Sequence, residues 1–297
     1  MKILIADDDT LSLLLLRQTV EDWGYQVTTA TDGNQACAIL EGADAPMLAI
    51  IDGMMPGMDG IDVCRRVRQY NHDRYTYLIM LTARNETAFM VEAMNAGADD
   101  FISKPFNYEE LQVRLRAGQR IIELEQQLRV KATRDALTGI YNRGTIIDLL
   151  EREIARQKRD QQPFAMLFAD LDHFKKTNDT YGHLAGDAVL CEIARRIASA
   201  LRPYDSLGRY GGEELLLVLP VCDAVSAVEV ANRIRNKIAF DPVVTEFGLI
   251  PTTLSIGVAV MSQTNSETLN DLIKRADDAL YSAKKLGRNR VELAPEK

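Results

Sequence analysis

The chain has 297 residues, enough for two domains of ordinary size, and its 46% hydrophobic and 26% charged residues are typical of a globular protein. A formal net charge of −8 argues against a general binder of nucleic acids or anionic membrane surfaces, because both are polyanions. The four cysteines lack CxxC spacing and no run reaches about 18 apolar residues, so free thiols and a cytoplasmic location are expected.

Short apolar runs alternate with helix-length segments in the N-terminal part of the chain. These runs cover residues 3–6, 27–30, 47–51, 78–81 and 101–102. The alternation predicts an α/β domain with a doubly wound, five-stranded parallel sheet, which binds ligands beyond the carboxyl ends of its strands.

Polar residues follow these strands at that edge. Asp7 and Asp8 follow the first strand, and Asp52, Thr82 and Lys104 follow the third, fourth and fifth. Three carboxylates at one edge would repel one another without a cation, and their hard oxygens suit Mg²⁺. Taken singly, each aspartate has an ordinary interpretation as a helix cap or turn former.

Together with Met55-Pro56-Gly57-Met58-Asp59-Gly60 and Lys104-Pro105-Phe106, this pattern resembles the receiver domains of response regulators over residues 1–120. The resemblance implies phosphorylation of Asp52 by a cognate histidine kinase or a small phosphodonor. The ligands that it implies for Mg²⁺ are Asp8, Asp52 and the carbonyl of Met54. The switch residues that it implies are Asp7, Thr82, Phe101 and Lys104.

The segment at residues 107–134 contains no proline and one glycine, Gly118, so the last receiver helix is expected to continue as a stalk. Its apolar seam would form a coiled-coil linker at residues 121–134. The seam residues, spaced by four, three and four, are Ala117, Ile121, Leu124 and Leu128. The alternative is a single helix packed on its own domain.

Acidic residues flank two predicted strands in the second half. Residues 164–169 form an apolar run that ends at Asp170, and residues 209–219 predict a β-hairpin. The turn is expected at Gly211-Gly212, followed at once by Glu213-Glu214, whose side chains should point to opposite faces. Carboxylates beside a turn without side chains indicate a metal that carries a phosphate. The alternative is an ordinary exposed hairpin with solvated glutamates.

Ordered blocks of the second half resemble the GGDEF-domain diguanylate cyclases. They cover residues 135–143, 170–187, 209–219, 254–258 and 275–289. An α+β domain is expected over residues 135–297, with the element order helix, strand, helix, hairpin, helix, strand, helix and short strand. The resemblance implies a palm-like core and condensation of two GTP molecules to cyclic di-GMP, with release of two pyrophosphates, across the two-fold axis of a homodimer.

The same resemblance gives roles to single residues. It implies that Mg²⁺, or Mn²⁺, is held by Asp170, the carbonyl of Leu171 and Glu213. Glu214 is either a further metal ligand or helps to activate the attacking hydroxyl. The remaining substrate residues are Lys175, Lys284 and Arg288 for the β- and γ-phosphates, Asn178 and Asp187 for the guanine edge, and Gly211 and Gly212 for close approach of a phosphate. Asp172 is expected to organise its loop as a hydrogen-bond acceptor.

The segment Arg202-Pro-Tyr-Asp205 resembles the Arg-x-x-Asp product-inhibition site of this family. Arg233 matches the position of a third contact, and Arg156 would supply another from the partner domain. The alternative for Arg202 and Asp205 is a favourable helix terminus followed by a turn.

One position departs from the family pattern, since Leu215 stands where an aromatic residue is usual; this bears on side-chain packing more than on catalysis.

The alternative function is a GTP or cyclic di-GMP receptor with a degenerate catalytic domain. Such members usually lose the Gly-Gly-Glu-Glu carboxylates, which this chain keeps. A transcriptional regulator would need a basic DNA-reading module, and none is visible in the second half.

Overall fold

The computed structural model describes residues 1–70, 74–83, 87–261 and 267–295. The chain divides into two compact units, Met1–Arg129 (unit 1) and Val130–Lys297 (unit 2), and each is described by itself. Among the residues described, no helix combines the length and apolar composition that crossing a bilayer requires.

Unit 1 has a five-stranded parallel sheet with the strand order β2-β1-β3-β4-β5, as the sequence predicts. The strands are β1 Lys2–Ala6, β2 Gln26–Ala30, β3 Leu48–Asp52, β4 Tyr77–Thr82 and β5 Asp100–Ser103. The helices are α1 Thr10–Asp22, α2 Gly33–Leu40, α3 Gly60–Tyr70, α4 Thr87–Asn95 and α5 Tyr108–Thr133.

The central strands of this sheet are buried on both faces, which explains their continuous apolar sequence. In β3, Ala49 and Ile51 pack with α2 and α3, whereas Leu48 and Ile50 pack with α1 and α5. Asp9 caps the N-terminus of α1 by accepting a hydrogen bond from the Leu11 backbone N–H. The sheet therefore delivers its terminal residues to one edge, as doubly wound folds do.

Helix α5 has one face packed on unit 1 and another exposed. Its buried residues are Leu111, Leu115, Gly118 and Ile122. At Gly118 the ring of Tyr77, from β4, lies so close that an added Cβ would overlap it. The long helix agrees with the predicted stalk. The predicted seam is exposed, with Ile121, Leu124 and Leu128 at 40%, 49% and 62%, and its pairing in a coiled coil stays a prediction.

Unit 2 has a five-stranded mixed sheet in the order β12-β11-β6-β8-β7 and a separate two-stranded hairpin of β9 and β10. The strands are β6 Phe164–Leu171, β7 Ser206–Gly211, β8 Glu214–Leu219, β9 Val243–Thr245, β10 Gly248–Ile250, β11 Leu254–Met261 and β12 Val291–Leu293. The helices are α6 Arg143–Asp160, α7 Phe174–Tyr181, α8 His183–Ala198, α9 Ala224–Phe240 and α10 Leu269–Lys285.

The predicted element order needs two corrections. The helix expected after the first strand is two helices, α7 and α8, which are separated by Gly182 in the left-handed region at φ +86°. The β9–β10 hairpin was not predicted, because its strands have only three residues each and expose Val244 and Leu249. The α+β class itself is as expected.

Helices cover both faces of the sheet in unit 2. Alternate residues of β6 divide between them, so that Leu167 and Ala169 pack with α8 and α9, and Met166 and Phe168 pack with α6 and α10. Leu215, at the position where the family usually has an aromatic residue, is fully buried in the core on the side of α8 and α9.

Gly257 of β11 lies directly under α10. An added Cβ there would overlap the Ala276 carbonyl oxygen and the Leu280 amide nitrogen, which belong to helix backbone and cannot rotate away. Gly257→Ala is therefore expected to lower the free energy of unfolding of unit 2 by about 1–3 kcal/mol. Chemical denaturation measures it. Gly144→Ala is the control, since its added Cβ would contact the Asn142 side-chain oxygen at an ordinary 3.6 Å; an equal loss of stability in both variants would contradict the packing argument.

Candidate functional site

The central feature of unit 2 is a pair of carboxylates at the end of the sheet. Asp170 and Glu214 are direct partners across the antiparallel strands β6 and β8. Each follows the alternation of its strand, so both side chains lie on the face of α6 and α10. From α10, the Nζ of Lys284 donates to Asp170 Oδ2 at 2.8 Å. Two acidic groups and one cation thus meet where the sheet ends.

The hairpin turn lies one residue later than predicted. Gly211 is the last residue of β7 and pairs with Glu214, so the two turn residues are Gly212 and Glu213. Only the first of these has a positive φ, at +53°, which is the pattern of a type II′ turn with glycine at its first position. Within the described part of the chain, no atom other than those of its two chain neighbours lies within 4 Å of where a Gly212 Cβ would be, so the turn is open to a ligand.

The position of the turn gives the two glutamates different backbone settings. Glu213 lies in the turn, so strand alternation does not set the direction of its side chain, whereas Glu214 begins β8. Arg209, to which the sequence analysis gave no role, donates from Nε to the Gly212 carbonyl at 2.8 Å and pairs with Asp135 at 3.2 Å. The turn is thereby tied to the start of the domain.

Like charges and burial dominate the electrostatics of this group. Burial raises the pKa of Asp170, Lys284 opposes this effect, and the neighbouring Glu213 and Asp172 add to it. Burial also raises the pKa of Glu214, with Asp170 as the next cause. A carboxylate set of this kind suits a hard divalent cation, which would relieve the repulsion, and Leu171 adjoins it as the last residue of β6.

Two of the predicted substrate residues, Lys175 and Asn178, lie on α7, which follows β6 directly in the chain. Lys175 is in the first turn of α7, whose N-cap residue His173 provides no side-chain cap, so the first N–H groups can face an anion. The side-chain Oδ1 of Asn178 is buried and has no hydrogen-bond partner in the part of the chain described. Gly186 makes room for it, because a Cβ there would overlap this oxygen. A buried amide oxygen without a protein partner can accept a hydrogen bond from a ligand or from a water molecule.

The predicted inhibitory residues are only partly brought together. The Arg202 backbone N–H donates to Asp205 Oδ2 at 2.8 Å, and Arg233 donates to the Ala200 carbonyl at 3.0 Å, so these three lie near the end of α8. Arg156 is on α6, across the sheet, where it pairs with Glu153 at 3.5 Å. Within one chain, Arg156 is therefore separate from the others.

Unit 1 holds a second acidic group. Ligand atoms of Asp7, Asp8 and Asp52 all lie within 4.8 Å of one another, the one such trio among the residues described. Lys104 Nζ donates to Asp7 Oδ2 at 2.9 Å and to Asp52 Oδ2 at 2.8 Å. Three carboxylates against one lysine leave excess negative charge, and this donor set fits Mg²⁺. The backbone N–H of Met54 is 3.5 Å from Asp52 Oδ1.

Burial and hydrogen bonding act in opposite directions on the pKa values of Asp52 and Lys104. Burial raises the pKa of Asp52, and the hydrogen bond from Lys104 opposes this effect. Burial lowers the pKa of Lys104, but the hydrogen bonds to Asp52 and Asp7 outweigh it, so the net direction is upward and the lysine stays charged. Thr82 ends β4 and is buried, while Phe101 of β5 is half-buried against the core.

Comparison with known proteins decides the family. The family model described as diguanylate cyclase, GGDEF domain, matches residues 132–290, and the model described as response regulator receiver domain matches residues 3–116. The chain belongs to the GGDEF family. A receiver domain precedes its GGDEF domain.

The relatives of this chain include a response regulator and a diguanylate cyclase. Response regulator PleD of Caulobacter vibrioides is 30% identical over 300 residues, which cover 98% of this chain and 65% of PleD. Diguanylate cyclase DgcM of Escherichia coli is 42% identical over 168 residues, 57% of this chain and 40% of DgcM. The chain thus spans less than two thirds of the length of these curated relatives.

Solved structures also resemble the GGDEF domain. The coiled coil and GGDEF domain of DgcB from Caulobacter crescentus, in complex with c-di-GMP, has a TM-score of 0.57 and 31% identity, covering 63% of this chain and 98% of that chain. Diguanylate cyclase SiaD of Pseudomonas aeruginosa, in complex with its activator SiaC, has a TM-score of 0.54 and 37% identity, covering 63% and 71%.

Proposed function

We propose that the chain is a phosphorylation-controlled diguanylate cyclase that condenses two GTP molecules to cyclic di-GMP. The observation that carries the proposal is the pairing of Asp170 with Glu214 beside the open Gly212–Glu213 turn. Membership of the GGDEF family supports it, as do relatives named diguanylate cyclase. The proposal places the protein in the cytoplasm, where GTP is available and where its four free cysteines would stay reduced.

Different residues of the GGDEF domain bind the phosphates and the guanine of GTP in this proposal. Lys175, Lys284 and Arg288 neutralise the β- and γ-phosphates, and the open turn lets a phosphate approach the backbone of Gly211 and Gly212. Asn178 and Asp187 recognise the guanine edge, which supplies a donor to the buried Asn178 oxygen, for which the described residues provide none. Asp187 lies on the exposed side of α8, where a base can reach it.

The reaction is an in-line displacement at phosphorus. The 3′-hydroxyl oxygen of one GTP forms a bond to the α-phosphorus of the other, the bond from that phosphorus to the bridging oxygen breaks, and pyrophosphate leaves. Asp170, the Leu171 carbonyl, Glu213 and Glu214 would hold Mg²⁺ or Mn²⁺, which supplies charge neutralisation at the phosphates when bound. Glu214 is a ligand or accepts the hydroxyl proton. Two such displacements close the ring and release two pyrophosphates.

Ring closure requires two GGDEF domains that face each other, because one domain holds one GTP. We therefore propose a homodimer, supported by the exposed apolar seam of α5. A cognate histidine kinase or a small phosphodonor would transfer a phosphoryl group to Asp52, with Mg²⁺ held by Asp8, Asp52 and the Met54 carbonyl. The added charge would be engaged by Lys104 and Thr82, and Asp7 and Phe101 would complete the switch.

The test of this function is direct. Purified protein is incubated with GTP and Mg²⁺, with and without acetyl phosphate, and the products are separated by chromatography. We expect cyclic di-GMP and pyrophosphate in a one-to-two ratio, with faster formation when the donor is present. Binding of cyclic di-GMP without turnover under either condition would favour a receptor instead.

We further propose product inhibition through Arg202, Asp205 and Arg233, with Arg156 contributed by a second domain. The solved complex of DgcB with c-di-GMP supports binding of this nucleotide by a GGDEF relative. Arg202→Ala is expected to weaken cyclic di-GMP binding about tenfold or more, because a charge-assisted hydrogen bond to the product is lost. Calorimetry measures the affinity, and the reaction plateau should rise with it.

The matched control is Arg195→Ala. Arg195 is a neighbouring exposed arginine of α8 that pairs with Glu192 and lies outside the proposed group. An unchanged product affinity and plateau in Arg202→Ala would return Arg202 and Asp205 to a purely structural role.

A further inference from the structure

The loop after α10 has an unusual backbone. Gly287, Arg288 and Asn289 all have positive φ, at +115°, +63° and +44°. Residues with a Cβ rarely adopt this region because the side chain crowds the backbone, so two of them in succession need contacts that hold them there. Strain of this kind collects at functional sites, and this loop carries Arg288, one of the proposed phosphate ligands.

Asp172 provides the first of these contacts. Its Oδ2 accepts hydrogen bonds from the Asn289 backbone N–H at 2.9 Å and from Thr253 Oγ1 at 2.7 Å. Its Oδ1 accepts from Ser255 Oγ at 2.6 Å. The carboxylate is buried, and its partners come from the strand region and from the loop. Asp172 thus fixes the loop to the end of the sheet.

Arg235 of α9 provides the second contact, from another direction. Its NH1 donates to both the backbone carbonyl and the side-chain Oδ1 of Asn289, each at 3.1 Å. The guanidinium is half-buried and lies against the loop rather than in the proposed substrate group. This role could not be predicted from the sequence, because residues 235 and 289 are far apart in the chain.

The backbone of Arg288 is held by a hydrogen bond, whereas its side chain is exposed. Its N–H donates to the Ala283 carbonyl at 3.0 Å, while the side chain is exposed and makes no hydrogen bond or ion pair within the part of the chain described. A fixed backbone sets the direction of the Cα–Cβ bond, and a free guanidinium then reaches a ligand from a defined origin. This combination suits a residue that is aimed at an anion.

We propose that Asp172 and Arg235 are positioning residues, which hold the Gly287–Asn289 loop and so set where the Arg288 guanidinium meets the triphosphate of GTP. This inference rests on the proposed function and deepens it. It assigns the two residues no contact with the nucleotide; they act through Arg288.

The test compares Arg235→Ala with Arg288→Ala and with the double variant. Calorimetry gives the affinity for a non-hydrolysable GTP analogue and for GMP. We expect Arg235→Ala to weaken analogue binding about tenfold with GMP binding unchanged, and to raise KM for GTP more than it lowers kcat. The double variant should match Arg288→Ala alone, because the loss acts through one side chain. Arg235→Lys should restore most of the affinity.

The control is Lys237→Ala, which removes a cation of α9 that bonds to Ser199 and not to the loop. Asp172→Asn, checked for folding by thermal unfolding, should show the same dependence on Arg288. Additive losses in the double variant, an equal loss for GMP, or analogue binding equal to wild type would overturn the positioning role alone. Wild-type protein that neither binds the analogue nor forms product would overturn the proposed function and this inference together.

Discussion

Glu213→Gln is expected to lower the rate of cyclic di-GMP formation about a thousandfold, because several kcal/mol of charge stabilisation at the metal and phosphates is lost. Glutamine has nearly the same shape, and Glu213 lies in an open turn, so folding should be unaffected. The measurement is the initial rate of product formation at saturating GTP and Mg²⁺. Circular dichroism and thermal unfolding of the variant check that the fold is kept.

The control for this loss is Glu246→Gln. Glu246 also lies in a two-residue hairpin turn, between β9 and β10, which form a sheet separate from the one that holds the paired carboxylates of β6 and β8. Glu246→Gln removes one negative charge by the same substitution, and the rate of cyclic di-GMP formation should stay at the wild-type value. Product formation by Glu213→Gln at the wild-type rate would show that this glutamate is outside the active site.

Asp52→Asn is expected to abolish stimulation by a phosphodonor, so that the ratio of rates with and without donor falls to about one. Asparagine cannot accept the phosphoryl group, and the Lys104 ammonium then bonds to a neutral side chain in place of one of its two carboxylates. Two readings are taken from the same samples: the fraction of phosphorylated protein and the initial cyclase rate.

Asp62→Asn is the comparison for the receiver. Asp62 is an exposed carboxylate of α3 that pairs with Arg65 on the helix surface. Its loss should leave both phosphorylation and stimulation unchanged. Equal stimulation of Asp52→Asn and wild type would place the switch at another residue.

The receiver site was predictable because one rule connects its residues. Parallel strands bring their carboxyl ends to one edge, so Asp7, Asp8 and Asp52 had to meet once the apolar runs were recognised as strands. Lys104 follows from the fifth strand in the same way. The structure adds what the rule does not give, namely that this one lysine bonds to two of the carboxylates.

The GGDEF domain shows where local patterns are insufficient. Two adjacent glycines tolerate the same backbone angles, so the sequence did not decide which of them begins the turn, and only the pairing of Gly211 with Glu214 does. The partners of Asp172 lie 81, 83 and 117 residues away, beyond any periodicity. Recognising those contacts requires the sheet register and the path of the chain after α10.

The ring of Tyr77 against Gly118 has a consequence for the angular phase of α5. Since this contact and the burial of Ile122 fix the rotation of the helix about its own axis within unit 1, they also set the direction in which the exposed Leu124 and Leu128 of α5 point. Each inserted residue would turn the following segment by about 100° without disturbing the sheet, and seven would turn it back to within about 20°. Insertion of a single residue after residue 122 would therefore change the direction of the exposed face of α5, whereas insertion of a whole heptad would nearly preserve it.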